Sequence, residues 1–145
     1  MSTNQTTYIE TIGKLAIADY AVSRLLPSTV IAQAIHESAW GTSTLAVKAN
    51  NHFGIKASAP WTGPVYNKNT GEEVGGKTIF IDADFRSYPS LGASVKDHGA
   101  FLTTGWRKDH YKVYGVTDPQ QVLTNLKAGG YATDSSYVTK CMRYI

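Results

Sequence analysis

The sequence predicts an α+β fold: a mainly helical body, a small antiparallel β lobe, and a groove between them. Three observations carry this expectation. Apolar residues recur at helical spacing from Tyr8 to Leu26 and again from Thr29 to Ala39. From Trp61 to Pro89 the pattern changes to short β-prone runs separated by Gly- and Asn-rich turn formers. After Pro89 helical spacing returns and continues to the C-terminus. At 145 residues the chain fits one domain, 1–145, long enough to bury a core without disulfides or metals.

In chain order, the first helix is expected over Tyr8–Leu26, with Ile9, Ile12, Leu15, Ala16, Tyr20 and Leu25 on one face. Pro27 should stop it, and Ser28 should cap a second helix over Thr29–Ala39 that turns Val30, Ile31, Ala34 and Ile35 to the core. Thr42–Lys48 reads as a further short helix. Trp61, Val65–Tyr66, Thr78–Ile81 and Phe85–Tyr88 read as short strands. Between them, Asn67–Gly76 is polar and full of turn formers, so it reads as a long loop overhanging the helical body, mobile without ligand. Ser90 can cap a helix carrying Leu91, Val95, His98, Phe101 and Leu102. Asp118–Pro119 opens another, which stops at Gly129–Gly130. Asp134 is a natural N-cap for a last helix over Ser135–Ile145.

Composition narrows the function classes. A net charge of +3 suits an anionic surface but is far from the basic stripe that nucleic-acid binding requires, so no nucleic-acid partner is expected. Nine Tyr, four Phe and three Trp lean towards carbohydrate, whose C–H faces stack on rings. Cys141 is the single cysteine, which rules out an intramolecular disulfide, and its apolar helical setting reads as a buried small hydrophobe. No apolar run reaches the ~20 residues of a membrane span. The polar stretch Met1–Thr7 shows no secretory leader, so an extracellular target would require delivery by a phage particle, a secretion machine or another route.

The run Ile31–Ser43 places Glu37 at the C-terminal edge of an apolar helix, followed at once by Trp40-Gly41. An apolar and aromatic setting disfavours the ionised carboxylate, which is what a general acid needs. His36-Glu37 begins like a zinc-protease helix, but Trp40 stands where the second histidine belongs. His36, His52, His98 and His110 have no ligand spacing, so no metal or other cofactor is expected. A second carboxylate is offered by Thr70-Gly71-Glu72, with Glu73 one register away, while Asp82 and Asp84 flank a strand and are poorer candidates. Tyr131 follows the Gly129-Gly130 helix stop and is open to a cleft role or to core packing.

Together, Ile31–Ser43, Asn50-Asn51-His52-Phe53-Gly54-Ile55-Lys56 and Gly130-Tyr131-Ala132-Thr133-Asp134 make the chain from about Tyr8 onward resemble the glucosaminidase family of bacterial and phage cell-wall hydrolases (glycoside hydrolase family 73). That resemblance implies a lysozyme-like fold and a monomer acting on peptidoglycan glycan strands as an N-acetylglucosaminidase. It implies Glu37 as catalytic acid, Glu72 as base or electrostatic stabiliser, and Tyr131 assisting near the scissile bond. Asn51 and Phe53 would touch sugar along the groove wall. Trp40, Trp61 and Tyr88 are possible stacking platforms, with core roles equally open for Trp40 and Tyr88. Two rival functions stand beside it: a muramidase or lytic transglycosylase of the same superfamily, and a non-catalytic wall-binding or virion module.

Overall fold

The computed structural model describes residues 1–145 and has seven helices and one β-hairpin. Helix α1 (Thr3–Ser23) begins earlier than its apolar face suggests. Ser2 accepts from the Gln5 N–H at 3.2 Å while the Gln5 side chain accepts from the Ser2 N–H at 3.0 Å, a reciprocal cap that no hydrophobic periodicity reveals. Pro27 is not a stop. It is the first residue of α2 (Pro27–Ser38), where its missing N–H is no loss, so Leu26 rather than Ser28 occupies the cap. Helix α3 (Thr44–Ala49) is capped by Ser43, and α4 (Leu91–Thr103) by Ser90 as expected. The short α5 (Gly105–Tyr111) was not foreseen. Helix α6 (Pro119–Ala128) opens at Asp118–Pro119, and α7 (Tyr137–Met142) is shorter than expected. Asp134 caps the turn before α7 rather than the helix, its Oδ1 accepting from the Ser136 N–H and hydroxyl.

The largest departure is the segment expected as a polar loop. Asn67–Gly76 lies mostly in a ten-residue strand, β1 (Val65–Val74), paired in register with β2 (Lys77–Arg86) from Val65↔Arg86 to Val74↔Lys77. The turn is Gly75-Gly76 alone, both at positive φ (57° and 77°), the two-residue geometry whose twist matches antiparallel strands. Hydrophobic alternation misses this strand because its inward residues are polar: Tyr66, Lys68, Thr70 and Glu72 alternate as half-buried positions, with Glu73 half-buried at the tip.

Helix α2 is central, in contact with α1, α6 and α7. The main core joins Ile12 and Ala16 of α1, Val30 and Ala34 of α2, Val95 and Leu102 of α4, and Val122 and Leu126 of α6 with Phe53 and Ile55. Cys141 is buried with Ala32, Leu123 and Tyr137 in a smaller cluster. The hairpin base is fastened by Phe85 against Leu45 and Ala49 of α3. Its two free strands therefore project over the end of α2, where Glu37 sits.

Candidate active site

Three consecutive residues after α2, Ala39, Trp40 and Gly41, have positive φ, and they reverse the chain just past Glu37. Ser38 anchors this reversal. Its hydroxyl donates to the Ala34 carbonyl at 2.6 Å and accepts from the Gly41 N–H at 2.8 Å. With that proton committed, the Tyr8 hydroxyl must be the donor to Ser38 at 2.9 Å, and His52 Nδ1 must in turn donate to Tyr8 at 2.8 Å. Gly41 is required by contact, because a Cβ there would stand 2.6 Å from the Tyr8 ring. Ser38 and Gly41 thus hold the helix end that presents Glu37.

Beneath it, Asn51 organises the turn Asn50–Lys56. Its Oδ1 accepts from the N–H groups of Phe53, Gly54 and Ile55, and its amide donates to the Ile55 and Arg86 carbonyls. This brings Gly54 under the Glu37 carboxyl, 3.7 Å from where a Cβ would be. The same turn sends Lys56 towards the hairpin, where its Nζ pairs with Glu72 Oε1 at 2.6 Å. A groove of about 430 Å³ results. Glu37, Gly54 and Tyr131 line it from the helical side, and Lys68, Thr70 and Glu72 from the hairpin.

The hairpin tip reaches across to the opposite rim. Glu73 N–H donates to Thr133 Oγ1 at 3.3 Å, that hydroxyl lies 3.5 Å from Glu72 Oε2, and Ser135 N–H donates to Glu73 Oε2 at 3.4 Å. Glu72 therefore faces the groove, while Glu73 is turned to the rim and bonded there.

Electrostatically the Glu37 carboxyl is pushed up from 4.5 to about 7, first by burial, then by the negative charges of Glu72 and Asp134. Asp134 is held well below the usual carboxylate range by its bonds to Lys140 (2.6 Å) and Ser136. Tyr131 donates to the Phe53 carbonyl at 3.2 Å, and burial, with Glu37 nearby, raises its phenol. His98 lies below, fully buried, stacked on Phe53 at 3.8 Å and edge-on to Tyr131. Neither ring nitrogen has a partner, and burial lowers it to about 3.

Several expected sugar contacts lie elsewhere. Trp40 is swung by the positive-φ reversal to the far side of α2, edge-on to Tyr8 and Tyr144, so burial of Glu37 owes nothing to its ring. Asn51 is 1 % exposed with its side chain committed to backbone, whereas Phe53 does line the Glu37 groove, though only 2 % exposed and with its ring on His98. Tyr88 is buried and donates to Asp97. Trp61 is half-buried beside Tyr88 and Arg86, away from the Glu37 groove. Lys56 and Tyr137 belong to the site without a signal in the sequence. Lys56 merely closes the Asn50–Lys56 segment. Tyr137 sits in an unremarkable helix, yet its buried ring lines the groove between His36 and Tyr131. No three potential metal ligands cluster anywhere in the chain.

A carboxyl kept protonated on the helical side, facing a second carboxylate carried by a β lobe, is the arrangement of a lysozyme-like glycoside hydrolase. Within that class the chain belongs to the glucosaminidase family, described as mannosyl-glycoprotein endo-beta-N-acetylglucosaminidase, whose profile matches residues 13–145. It is 39% identical over 139 residues to the exo-glucosaminidase LytG of Bacillus subtilis, covering 94% of this chain and 49% of LytG. Similarity to a probable N-acetylmuramidase of Lactococcus lactis subsp. cremoris is 36% over 143 residues, covering 95% of this chain and 32% of that protein. Among solved structures, the catalytic domain of the autolysin Auto from Listeria monocytogenes superposes with a TM-score of 0.81 at 33% identity, covering 100% of this chain and 84% of that one. The chain spans about half or less of the length of these curated relatives.

Proposed function

We propose that this chain hydrolyses the β-1,4 bond of peptidoglycan glycan strands on the reducing side of N-acetylglucosamine. The observation that carries the reading is Glu37, a carboxyl on the groove wall that keeps its proton to about 7. Glu37 donates that proton to the glycosidic oxygen. As positive charge then develops on the sugar, the carboxylates of Glu72 and Asp134, whose charge adds to burial in holding the proton on Glu37 and which line the same groove, stabilise it. Glu72 acts as base towards water or as electrostatic stabiliser, with Lys56 fixing its position, and Tyr131 orients groups near the scissile bond. LytG's name supports the glucosaminidase choice. A second reading, cleavage on the reducing side of N-acetylmuramic acid, is favoured by the name of the Lactococcus relative. Purified sacculi digested with wild-type protein, with E37Q as control, decide between them by mass spectrometry of the released reducing ends. Reducing N-acetylglucosamine supports the proposal, and reducing N-acetylmuramic acid moves the cleavage site. Anhydro ends indicate a transglycosylase, and no release from wild type overturns the enzymatic reading.

A further inference from the structure

Two arginines lie against the ring of Phe101, a residue that lines the groove, and the fold treats them differently. The Arg86 guanidinium is 5.1 Å from the Phe101 centroid and 4.8 Å from that of Trp61. It is buried, paired with Asp97 at 2.9 Å, and its Nε donates to the Lys56 carbonyl. An internal carboxylate and a carbonyl hold it.

Arg107 repeats the aromatic half of this arrangement without the acidic half. Its guanidinium lies 4.1 Å from the Phe101 centroid and 4.8 Å from that of Trp106. The three ion pairs of the chain, Lys56–Glu72, Arg86–Asp97 and Lys140–Asp134, leave it without an acidic partner. Trp106 is 64% exposed, a large ring held in solvent beside Arg107, which itself lies on the groove-lining Phe101. Along α5 and its cap the charge is mainly basic: Lys108, over the Tyr114 ring at 4.1 Å, and Lys112 outnumber Asp109. An exposed arginine ordinarily loses rotamer freedom when it binds an anion. Contact with two rings restricts this guanidinium beforehand, and a fixed planar fork is what bidentate carboxylate recognition requires.

We infer that Trp106 and Arg107, with the face of Phe101, form a subsite at the groove rim for the carboxylate of a peptide stem branching from the glycan strand. This rests on the groove being a glycan cleft. The N-acetylated sugar backbone offers a guanidinium no anion, whereas the stem peptide carries carboxylates. Arg107 and Trp106 would then select peptide-bearing strands over bare ones, without touching the bond that is cut.

The test uses E37Q protein, so that strands are bound without being cut, and two soluble probes: glycan strands with intact stems, and the same strands stripped of stems by an amidase, with the lactyl carboxylates that this frees then capped as methyl amides. Adding R107M, which keeps an apolar stem but removes the fork, should weaken binding to intact strands about tenfold and leave stripped strands unchanged. R107K should recover only part of the loss, and W106A should give a smaller loss with the same selectivity. The advantage of intact strands should shrink as salt rises. Equal loss on both probes, or none on either, overturns the subsite while leaving the glycan cleft standing. Failure of E37Q itself to bind either probe removes the cleft reading and the subsite with it.

Discussion

Replacing Glu37 with Gln should make the protein inactive and, above neutral pH, more stable. An unfolded Glu37 ionises from about 4.5, whereas the folded one keeps its proton to about 7. A raised acid penalises the folded state as pH climbs between those two values, and the penalty stays constant above them. At about 1.4 kcal/mol per pH unit the gap corresponds to about 3.5 kcal/mol, reduced to about 2–3 kcal/mol because the carboxyl is partly open to groove water. Gln cannot ionise and is nearly isosteric. E37Q and wild type should therefore have equal stability near pH 4. At pH 8 the variant should melt roughly 5–10 °C higher, given ~2–4 °C per kcal/mol for a domain of this size. Activity on sacculi should fall by at least ~10²-fold, the usual contribution of a general acid. Thermal melts of both proteins at pH 4 and pH 8, beside a turbidity assay, measure all of this. A stability difference that is the same at both pH values would refute the buried-acid account, and near-wild-type lysis would refute the role.

Activity of wild type should decline as pH passes about 7 and Glu37 gives up its proton. In D134N, which removes one of the charges that raise Glu37, that alkaline limb of kcat/KM should move to lower pH, and a limb that stays put or moves up would contradict the assigned cause. E72Q should lose most activity while changing stability by no more than ~1 kcal/mol, since its pair with Lys56 is half exposed, and E73Q should lose little activity; denaturant titration with zymography ranks them. G76V places a β-branched residue at positive φ in the hairpin turn, so amide exchange in β1 and β2 should accelerate and activity should drop with it. Lysis should persist in EDTA, because the acid, the second carboxylate and the tyrosine hydroxyl make a Lewis acid redundant; loss in chelator with recovery on added zinc or calcium would reverse that.

What the sequence determined by itself is the helical body and the delivery of Glu37. Helix periodicity, proline and glycine punctuation, and the Ser90 cap act through neighbours three or four residues away, so they are visible in one dimension. The Glu37-Ser38-Ala39-Trp40-Gly41 run was legible for the same reason, although Trp40 was credited with a task that the local reversal gives to no one. Tertiary structure decided the rest. The ten-pair hairpin is written in cross-strand partners and a Gly-Gly turn, and its inward residues are polar because they face a groove rather than a core. Asn51 and Tyr88 look like ligand-binding residues until folding commits their side chains to the backbone and to Asp97, whereas Phe53 stays at the groove with its ring on His98. Lys56 and Glu72 become partners only when the hairpin folds back over the Asn50–Lys56 turn, and Glu37 holds its proton because folding buries it and, secondarily, brings the charges of Glu72 and Asp134 near. Burial and Coulomb forces act through space between residues far apart in the chain, and only the folded structure sets those distances.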